Sequence, residues 1–316
     1  MPAYKSPRAL EMAVKEAAKA SPLDTNDAIR NFYFHRLLCR VFSEQESPFV
    51  LKGGLGILAR TIDARSTRDI DLATDELRID EAVAELKKLA GKDMEDYVRF
   101  TLTDVRPIKV EDDYRDGYTV TFVASLGAKE VQRVSVDLVA DQIIIGEPEV
   151  LDPVDRVSVR GISTCDYPVY PAEKSVVDKF CGIVERHRGH ASSRVKDLVD
   201  LVIYALTVDL EMRKIKDVVN RELSLRGMSP IGEFALPVEW GHAHARQYEK
   251  LASGANLPGN LRKMEGGMVL AKRLLDPVFV DDSEYAVWDH RKLEWAGEVT
   301  MVAGVCPMSN TPRVDS

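Results

Sequence analysis

The segment Asp69-Ile70-Asp71-Leu72 sets two carboxylates two residues apart. On a strand, residues i and i+2 share a face, so Asp69 and Asp71 converge while Ile70 and Leu72 enter a core. Carboxylates held side by side repel each other unless a cation neutralises them. Such ligands suit Mg²⁺, which takes one or two carboxylates together with substrate phosphates. Upstream lies the pair Gly53-Gly54, directly behind the apolar run Phe49-Val50-Leu51. Glycines there let the backbone approach a ligand closely, and a helix leaving them offers unpaired N–H groups to phosphate. A third acid, Asp137, lies in Val131–Val139, where Val134, Val136 and Leu138 alternate as a core face and Arg133, Ser135 and Asp137 take the other. If that strand pairs beside Asp69–Ala73, Asp137 completes a three-carboxylate site. Read singly, each acid is equally consistent with a solvated strand edge.

These residues need a sheet flanked by helices. Ser6-Pro7 and Ser21-Pro22 each read as an N-cap followed by Pro at the first helical position. Behind the second, Ile29, Phe32, Tyr33, Leu37, Val41 and Phe42 recur at helical spacing. Ile57–Thr61 reads as a short helix, and Ile79–Ala90 as a strong one with Ala82, Leu86 and Leu89 on one face. Period-two stretches follow at Arg99–Val105, Tyr118–Ala124 and Val131–Val139, separated by turn residues such as Asp116-Gly117 and Leu126-Gly127. Helical patterns then run at 172–187, 192–207, 211–225, 238–251 and 258–274. The expectation is an α+β chain. Residues 1–165 form a domain with a small mixed β-sheet flanked by helices. Residues 166–276 form an all-α domain that completes the site, and 277–316 an extension that is loosely packed and then disordered.

Between Lys174 and Lys196 stand six basic residues, Lys174, Lys179, Arg186, Arg188, Arg194 and Lys196, against the acids Asp178 and Glu185. On 172–187, Val176, Phe180, Ile183 and Val184 form the apolar stripe. Lys179 lies at its border, whereas Lys174 and Asp178 point well away. A border lysine can snorkel into a cleft beside the sheet, which makes Lys179 a candidate triphosphate contact. An ordinary surface lysine is the alternative. On the next helix, Asp197 and Asp200 lie off the face made by Val195, Leu198, Val199 and Val202. By themselves they are consistent with acids placed for the helix macrodipole. His187 and His190, in an Arg-Gly linker, read as solvated loop rather than a metal pair.

Gly-Gly, then Asp-x-Asp, then an Asp on a later strand resembles the DNA polymerase β-like nucleotidyltransferase signature. Val50-Leu-Lys-Gly-Gly54, Ser66-Thr-Arg-Asp-Ile-Asp-Leu72, Lys179 and Arg194-Val-Lys-Asp-Leu-Val-Asp-Leu201, in this order, are together similar to the AbiEii/AbiGii toxin family. The resemblance spans residues 45 to 250. It implies transfer of a nucleotide from a nucleoside triphosphate to an acceptor hydroxyl, with two Mg²⁺ held by Asp69, Asp71 and Asp137. The implied acceptor is the 3′ end of tRNA, facing the basic 174–196 segment, and the implied protein partner is a cognate antitoxin. Asp197 is implied as an active-site residue, supported by Asp200 or Lys196. Gly53, Gly54 and Lys179 would neutralise the leaving pyrophosphate, with Lys52 and Arg68 adding charge. Where the family has a small hydroxyl residue after Gly-Gly, this chain has Leu55-Gly56. Backbone N–H groups or Thr67 would then make that phosphate contact.

Composition narrows the partners. The chain has 316 residues, 45% hydrophobic and 30% charged, with a net charge of −8. That excludes a collagen-like, wholly disordered or membrane-embedded body, and also nucleic-acid binding by bulk charge. Cys39, Cys165, Cys181 and Cys306 show no zinc-ligand spacing and read as reduced thiols. With no secretory signal or membrane span in view, the expectation is a cytoplasmic monomer. Two other readings compete. Gly54-Leu-Gly56-Ile-Leu-Ala59 fits a dinucleotide fingerprint, with Asp75 and Glu76 downstream. The second is a non-catalytic nucleotide-binding regulator on a decayed transferase fold.

Overall fold

A computed structural model describes residues 2–43, 47–62, 64–65, 67–108, 116–140, 146–280 and 285–297. Helix α1 (Pro7–Ala20) begins as expected, with the Ser6 hydroxyl accepting from the Ala9 N–H. Helix α2 (Thr25–Val41) begins later than Ser21 suggested. Its N-cap is Asp24, whose carboxylate accepts from the N–H groups of Asn26 and Asp27, while Ser21 is the C-cap of α1, its N–H donating to the Ala18 carbonyl. Strand β1 (Val50–Lys52) follows, then α3 (Gly53–Leu58), β2 (Ile70–Thr74) and α4 (Ile79–Ala90). The two glycines do not precede α3; they are its first turn, four residues before the helix expected at Ile57.

Strands β3 (Val98–Pro107), β4 (Asp116–Leu126) and β5 (Lys129–Ala140) form the expected meander. Strands β6 (Glu149–Leu151) and β7 (Tyr167–Val169) complete a mixed seven-stranded sheet of order β3-β4-β5-β2-β1-β7-β6. Strand β2 runs parallel to β5 but antiparallel to β1. That pairing removes the dinucleotide reading, because a Rossmann unit needs parallel neighbours joined by a crossover helix, and α3 is only six residues long.

The second half is mainly helical: α5 (Ala172–Val184), α6 (Val195–Thr207), α7 (Met212–Leu225), α8 (His242–Gly254) and α9 (Met264–Val280). Two small sheets are added to it. One is the hairpin β8 (Arg186–His187) and β9 (His190–Ala191). The other joins β10 (Leu210–Glu211), β11 (Val287–Asp289) and β12 (Glu294–Ala296). Loose packing beyond 277 is therefore corrected over residues 277–280 and 285–297. Trp288 is fully buried and donates to the Ala205 carbonyl at 2.8 Å, and Trp295 donates to Leu274 at 3.0 Å. Apolar indoles with one satisfied N–H anchor a short hairpin that its own strands could not hold. The disordered tail expected at the polar end of the chain, Ser309 to Ser316, lies outside the described residues. β7 falls beyond residue 165 yet belongs to the main sheet, and one apolar core runs from Leu10 through Leu72 and Phe180 to Trp288. Among the described residues no helix is long and apolar enough to cross a membrane.

Helix α2 is buried almost throughout from Asn31 to Val41, including its two arginines. Arg36 Nε donates to Asp96 Oδ2 at 2.6 Å, and Arg40 Nη2 to Asp96 Oδ1 at 2.7 Å. Arg40 also donates to the carbonyls of Lys92 and Val98, so α2 is bonded to the loop that leads into β3. Burial works against an ionised Asp96, but the bonds and charges of Arg40 and Arg36 outweigh it and hold its carboxyl below the usual range. A lowered folded pKa contributes stability that is complete above the unfolded value of about 3.9 and lost as pH falls below it. Asp96→Asn, which leaves two buried guanidiniums without a counter-charge, should cost about 3–5 kcal/mol at neutral pH. Urea unfolding at neutral pH and at about pH 3 checks both points: the gap between wild type and variant should narrow in acid.

Candidate active site

The sheet register gathers the acids. Asp71 on β2 pairs with Asp137 on β5 in parallel register, and with Lys52 on β1 across the antiparallel side. Thr119 on β4 pairs with Asp137 in turn. A row of side chains therefore crosses four adjacent strands in the order Thr119, Asp137, Asp71, Lys52. Side chains at paired positions share a face and stand about 5 Å apart. Asp69 stands just before β2, two residues along the chain from Asp71, with its side chain partly exposed.

The energetics of the row are unfavourable for three free carboxylates. Burial, then the charge of Asp71, raises the Asp69 pKa. Burial raises that of Asp71, where Lys179 opposes and Asp137 adds to the rise. Burial also raises that of Asp137, reinforced by Asp69 and opposed by a 2.7 Å hydrogen bond from the Thr119 hydroxyl. Groups arranged so that each disfavours ionisation of the next suit a divalent cation, which favours the ionised form of all of them. Among the described residues no three side chains already converge as a closed ligand set. The donor set fits an open site, in which substrate oxygens supply the remaining ligands.

Gly53 is required by this arrangement. Its φ is +65°, and a Cβ there would lie 1.8 Å from Asp71 Oδ2. Backbone and carboxylate thus touch directly, and no larger residue fits. Gly54 has the same relation to Thr67, whose side chain would lie 2.9 Å from a Cβ at that position. Thr67, one of the two alternatives for the absent hydroxyl contact after Gly-Gly, therefore lies beside the turn. It donates to the Asp69 carbonyl at 3.3 Å, tying the turn to the start of β2.

The helical half contributes a chain of alternating charge. Lys179 on α5 is 3.2 Å from Asp197 and 3.1 Å from Asp200, both fully buried on α6. Arg65 makes a two-pronged contact with Asp200, at 2.8 and 2.9 Å, and Arg194 Nε reaches Asp197 at 2.5 Å. Burial disfavours ionised Asp200, but Lys179 and Arg65 more than compensate and lower its pKa. Lys179 is likewise raised despite burial by Asp197 and Asp200. The structure therefore places Lys179 inside, held by two carboxylates, rather than snorkelling into an open cleft. Asp200 is as deeply committed as Asp197.

The basic segment is also rearranged. Lys174 and Asp178 do not point to solvent. Lys174 is 3% exposed with its ammonium 5.2 Å from the Tyr170 ring. Asp178 accepts from Lys52 at 3.2 Å and from Arg226 at 3.2 Å. Both are drawn inward because α5 packs on α7 as well as on α6. Lys52, paired with Asp178 and 4.4 Å from the Tyr170 ring, is thus partly committed. The exposed cations that act on the acids are Arg68, which favours ionised Asp69, and Lys196, which favours ionisation of Asp69, Asp71 and Asp137 alike.

The motif reading did not find Thr119 and Arg65. Thr119 is one alternating residue in an ordinary strand, and only the register with Asp137 marks it. Arg65 lies between the two motifs, but its partner is 135 residues away.

The family model for the nucleotidyl transferase AbiEii toxin of type IV toxin–antitoxin systems matches residues 36–277. Among solved structures, MenT4, a nucleotidyltransferase toxin from Mycobacterium tuberculosis H37Rv, is 14% identical, with a TM-score of 0.48 over 83% of this chain and 99% of that one. JHP933 from Helicobacter pylori is 16% identical, with a TM-score of 0.39 over 78% of this chain and 90% of that one. No curated protein matches significantly.

Lys179→Met should destabilise the fold by about 3–5 kcal/mol, since it strands two buried carboxylates beside Arg65 and Arg194. Denaturant unfolding measures it. A loss below about 1 kcal/mol, the worth of a surface pair, would show that Lys179 is not structurally committed.

Proposed function

The chain belongs to the AbiEii family of nucleotidyltransferase toxins, and from that premise we propose metal-assisted transfer of a nucleotide from a nucleoside triphosphate to the 3′ end of tRNA. The observation that carries the mechanism is the in-register pair Asp71 and Asp137 with Gly53 pressed against Asp71.

Asp71, Asp137 and the exposed Asp69 would hold two Mg²⁺. Such ions, when bound, neutralise phosphate charge and lower the pKa of an acceptor hydroxyl. Thr119 fixes one oxygen of Asp137, so the carboxylate presents its other oxygen in a set direction. From there it serves as a ligand or as the general base for the attacking hydroxyl. The first turn of α3 brings the N–H groups of Gly53 and Gly54, which have no partners within so short a helix, towards the triphosphate. Lys196, Arg68 and Lys52 supply positive charge for the departing pyrophosphate. Lys179 acts from inside, holding Asp197 and Asp200 and adding its field at Asp71.

On this reading residues 1–165 carry the chemistry and 166–276 complete the site. The protein acts as a cytoplasmic monomer, inhibits growth and is neutralised by its antitoxin. The non-catalytic alternative loses its main support, since Thr67 supplies a hydroxyl beside Gly54.

Asp69→Asn should abolish Mg²⁺-dependent incorporation of labelled nucleotide into RNA, tested with all four nucleotides. Because Asp69 is exposed and repelled by Asp71, its melting temperature should be unchanged or slightly raised. Retained incorporation would sink the assignment. Gly53→Ala should lower the rate by about 100-fold or more, the usual result of misplacing a catalytic group by about 1 Å.

A further inference from the structure

A separate cavity of about 280 Å³ is walled by Arg186, His190, Ser192, Trp240 and His244, with Glu239 among its residues. It lies on the hairpin β8–β9, which leads directly into α6. A continuous set of contacts ties it to the acids already described. Trp240 Nε1 donates to the Ser192 carbonyl at 2.6 Å, and the Ser192 hydroxyl accepts from the Arg194 N–H at 3.2 Å. Arg194 in turn holds Asp197, which holds Lys179. Two residues beyond Arg194 stands exposed Lys196, whose charge reaches all three carboxylates.

The wall of the cavity is aromatic. The half-buried His244 ring lies parallel to Trp240, with centroids 5.5 Å apart and planes 4° apart. Its rim is cationic. Arg186 is exposed, bonded to the Gly189 carbonyl and to Glu239 at 2.6 Å. Arg188 and His190 are exposed beside it. An exposed ion pair such as Arg186–Glu239 is weak and screened, so its guanidinium can exchange a carboxylate for a phosphate.

An aromatic platform beside exchangeable cations is how single-stranded nucleic acid is held: the base stacks and the backbone pairs. We propose that this cavity seats a base near the 3′ end of a single-stranded RNA acceptor, with its phosphate on Arg186, and aligns that end with the Asp71–Asp137 pair. The identity of the ligand rests on the nucleotidyl-transfer reading. The same base-and-phosphate chemistry is offered by the nucleoside triphosphate. The elements favour the acceptor, because the triphosphate cradle belongs to β1 and α3, whereas the cavity belongs to the hairpin and α8.

The probe is a five-nucleotide single-stranded RNA with 2-aminopurine as its 3′ base, titrated against the full chain at low salt. On binding to wild type, stacking should quench the fluorescence. His244→Ala should remove the quench and weaken binding about tenfold, in the range of one lost base–aromatic stack. Arg186→Ala should weaken it and flatten its salt dependence. Glu239→Gln, by removing the competing carboxylate, should tighten it several-fold, a gain that misfolding does not produce. Nucleoside triphosphate binding, followed by melting shift, should be unchanged in all three. Loss of triphosphate binding with RNA binding intact would assign the cavity to the nucleotide and overturn the proposal. So would RNA binding indifferent to all three substitutions, or nucleotide incorporation by a wild type that does not bind the probe; in that last case the transfer reading stands. RNA binding that responds as stated, in a protein that transfers nothing, would overturn the transfer reading and leave the surface.

Discussion

Two carboxylates stand in register on neighbouring strands of one sheet, and burial raises the pKa of both, with Asp137 adding to the rise at Asp71 and Asp69 adding to it at Asp137. Asp71 and Asp137 are held in parallel register by β2 and β5, which both lie inside the sheet with a paired strand on either side. Among the described residues neither makes an ion pair with a cation of its own. The cations act from one step away: Lys179 on α5, Lys196 on α6 and Lys52 on the next strand each favour ionised Asp71. A cation bonded directly to either carboxylate would occupy the oxygens that a metal needs. Held at a distance, the same charges lower the cost of ionisation and leave the oxygens available.

That arrangement demands rigidity on both sides. On the sheet side, Gly53 admits the Asp71 carboxylate against the backbone, and Thr119 fixes Asp137. On the helical side, Arg65 and Arg194 bracket the pair Asp197 and Asp200, so that Lys179 is held between two fixed anions. A buried ammonium with only one partner would be poorly compensated for its lost hydration. Two partners, each with an arginine of its own, make the group a fixed source of potential instead of a mobile arm. Below the sheet, Asp96 with Arg36 and Arg40 does for α2 what Asp200 does for α5 and α6: it fixes one helix against its neighbours by a directional bond that apolar packing does not supply.

The local features were legible in the sequence wherever a single segment contained both the pattern and its cause. Helix α4 falls on Ile79–Ala90 as read, because its apolar face recurs without interruption. Asp69, Asp71 and Gly53-Gly54 could be picked out because two acids on one strand face, and two glycines before a helix, are unusual combinations. What failed depended on packing from several sides. Lys174 and Asp178 lie off the main stripe of α5, and the amphipathic pattern of one helix does not reveal that α7 covers a second face. Trp288 looked unattached because its partner carbonyl, Ala205, is 83 residues upstream. The pairing of Asp71 with Asp137 was stated only as a condition, since register between strands distant in the sequence is set by the whole sheet.

The same reasoning changes what the charge pattern means. Six basic residues within 174–196 suggested a cationic surface in a chain of net charge −8. In the fold, Lys174 and Lys179 are turned inward, and Arg194 is committed to Asp197. Much of that positive charge therefore serves buried acids rather than a partner. What that segment leaves on the surface is narrow: Arg186 and Arg188 on the hairpin, Lys196 at the start of α6, and Arg194, exposed but paired with Asp197. A narrow cationic strip on an acidic protein attracts a polyanion only where the strip lies, and repels it elsewhere. On the proposed reading, the net charge of −8 would then add to selectivity, by disfavouring a nucleic acid bound away from that strip.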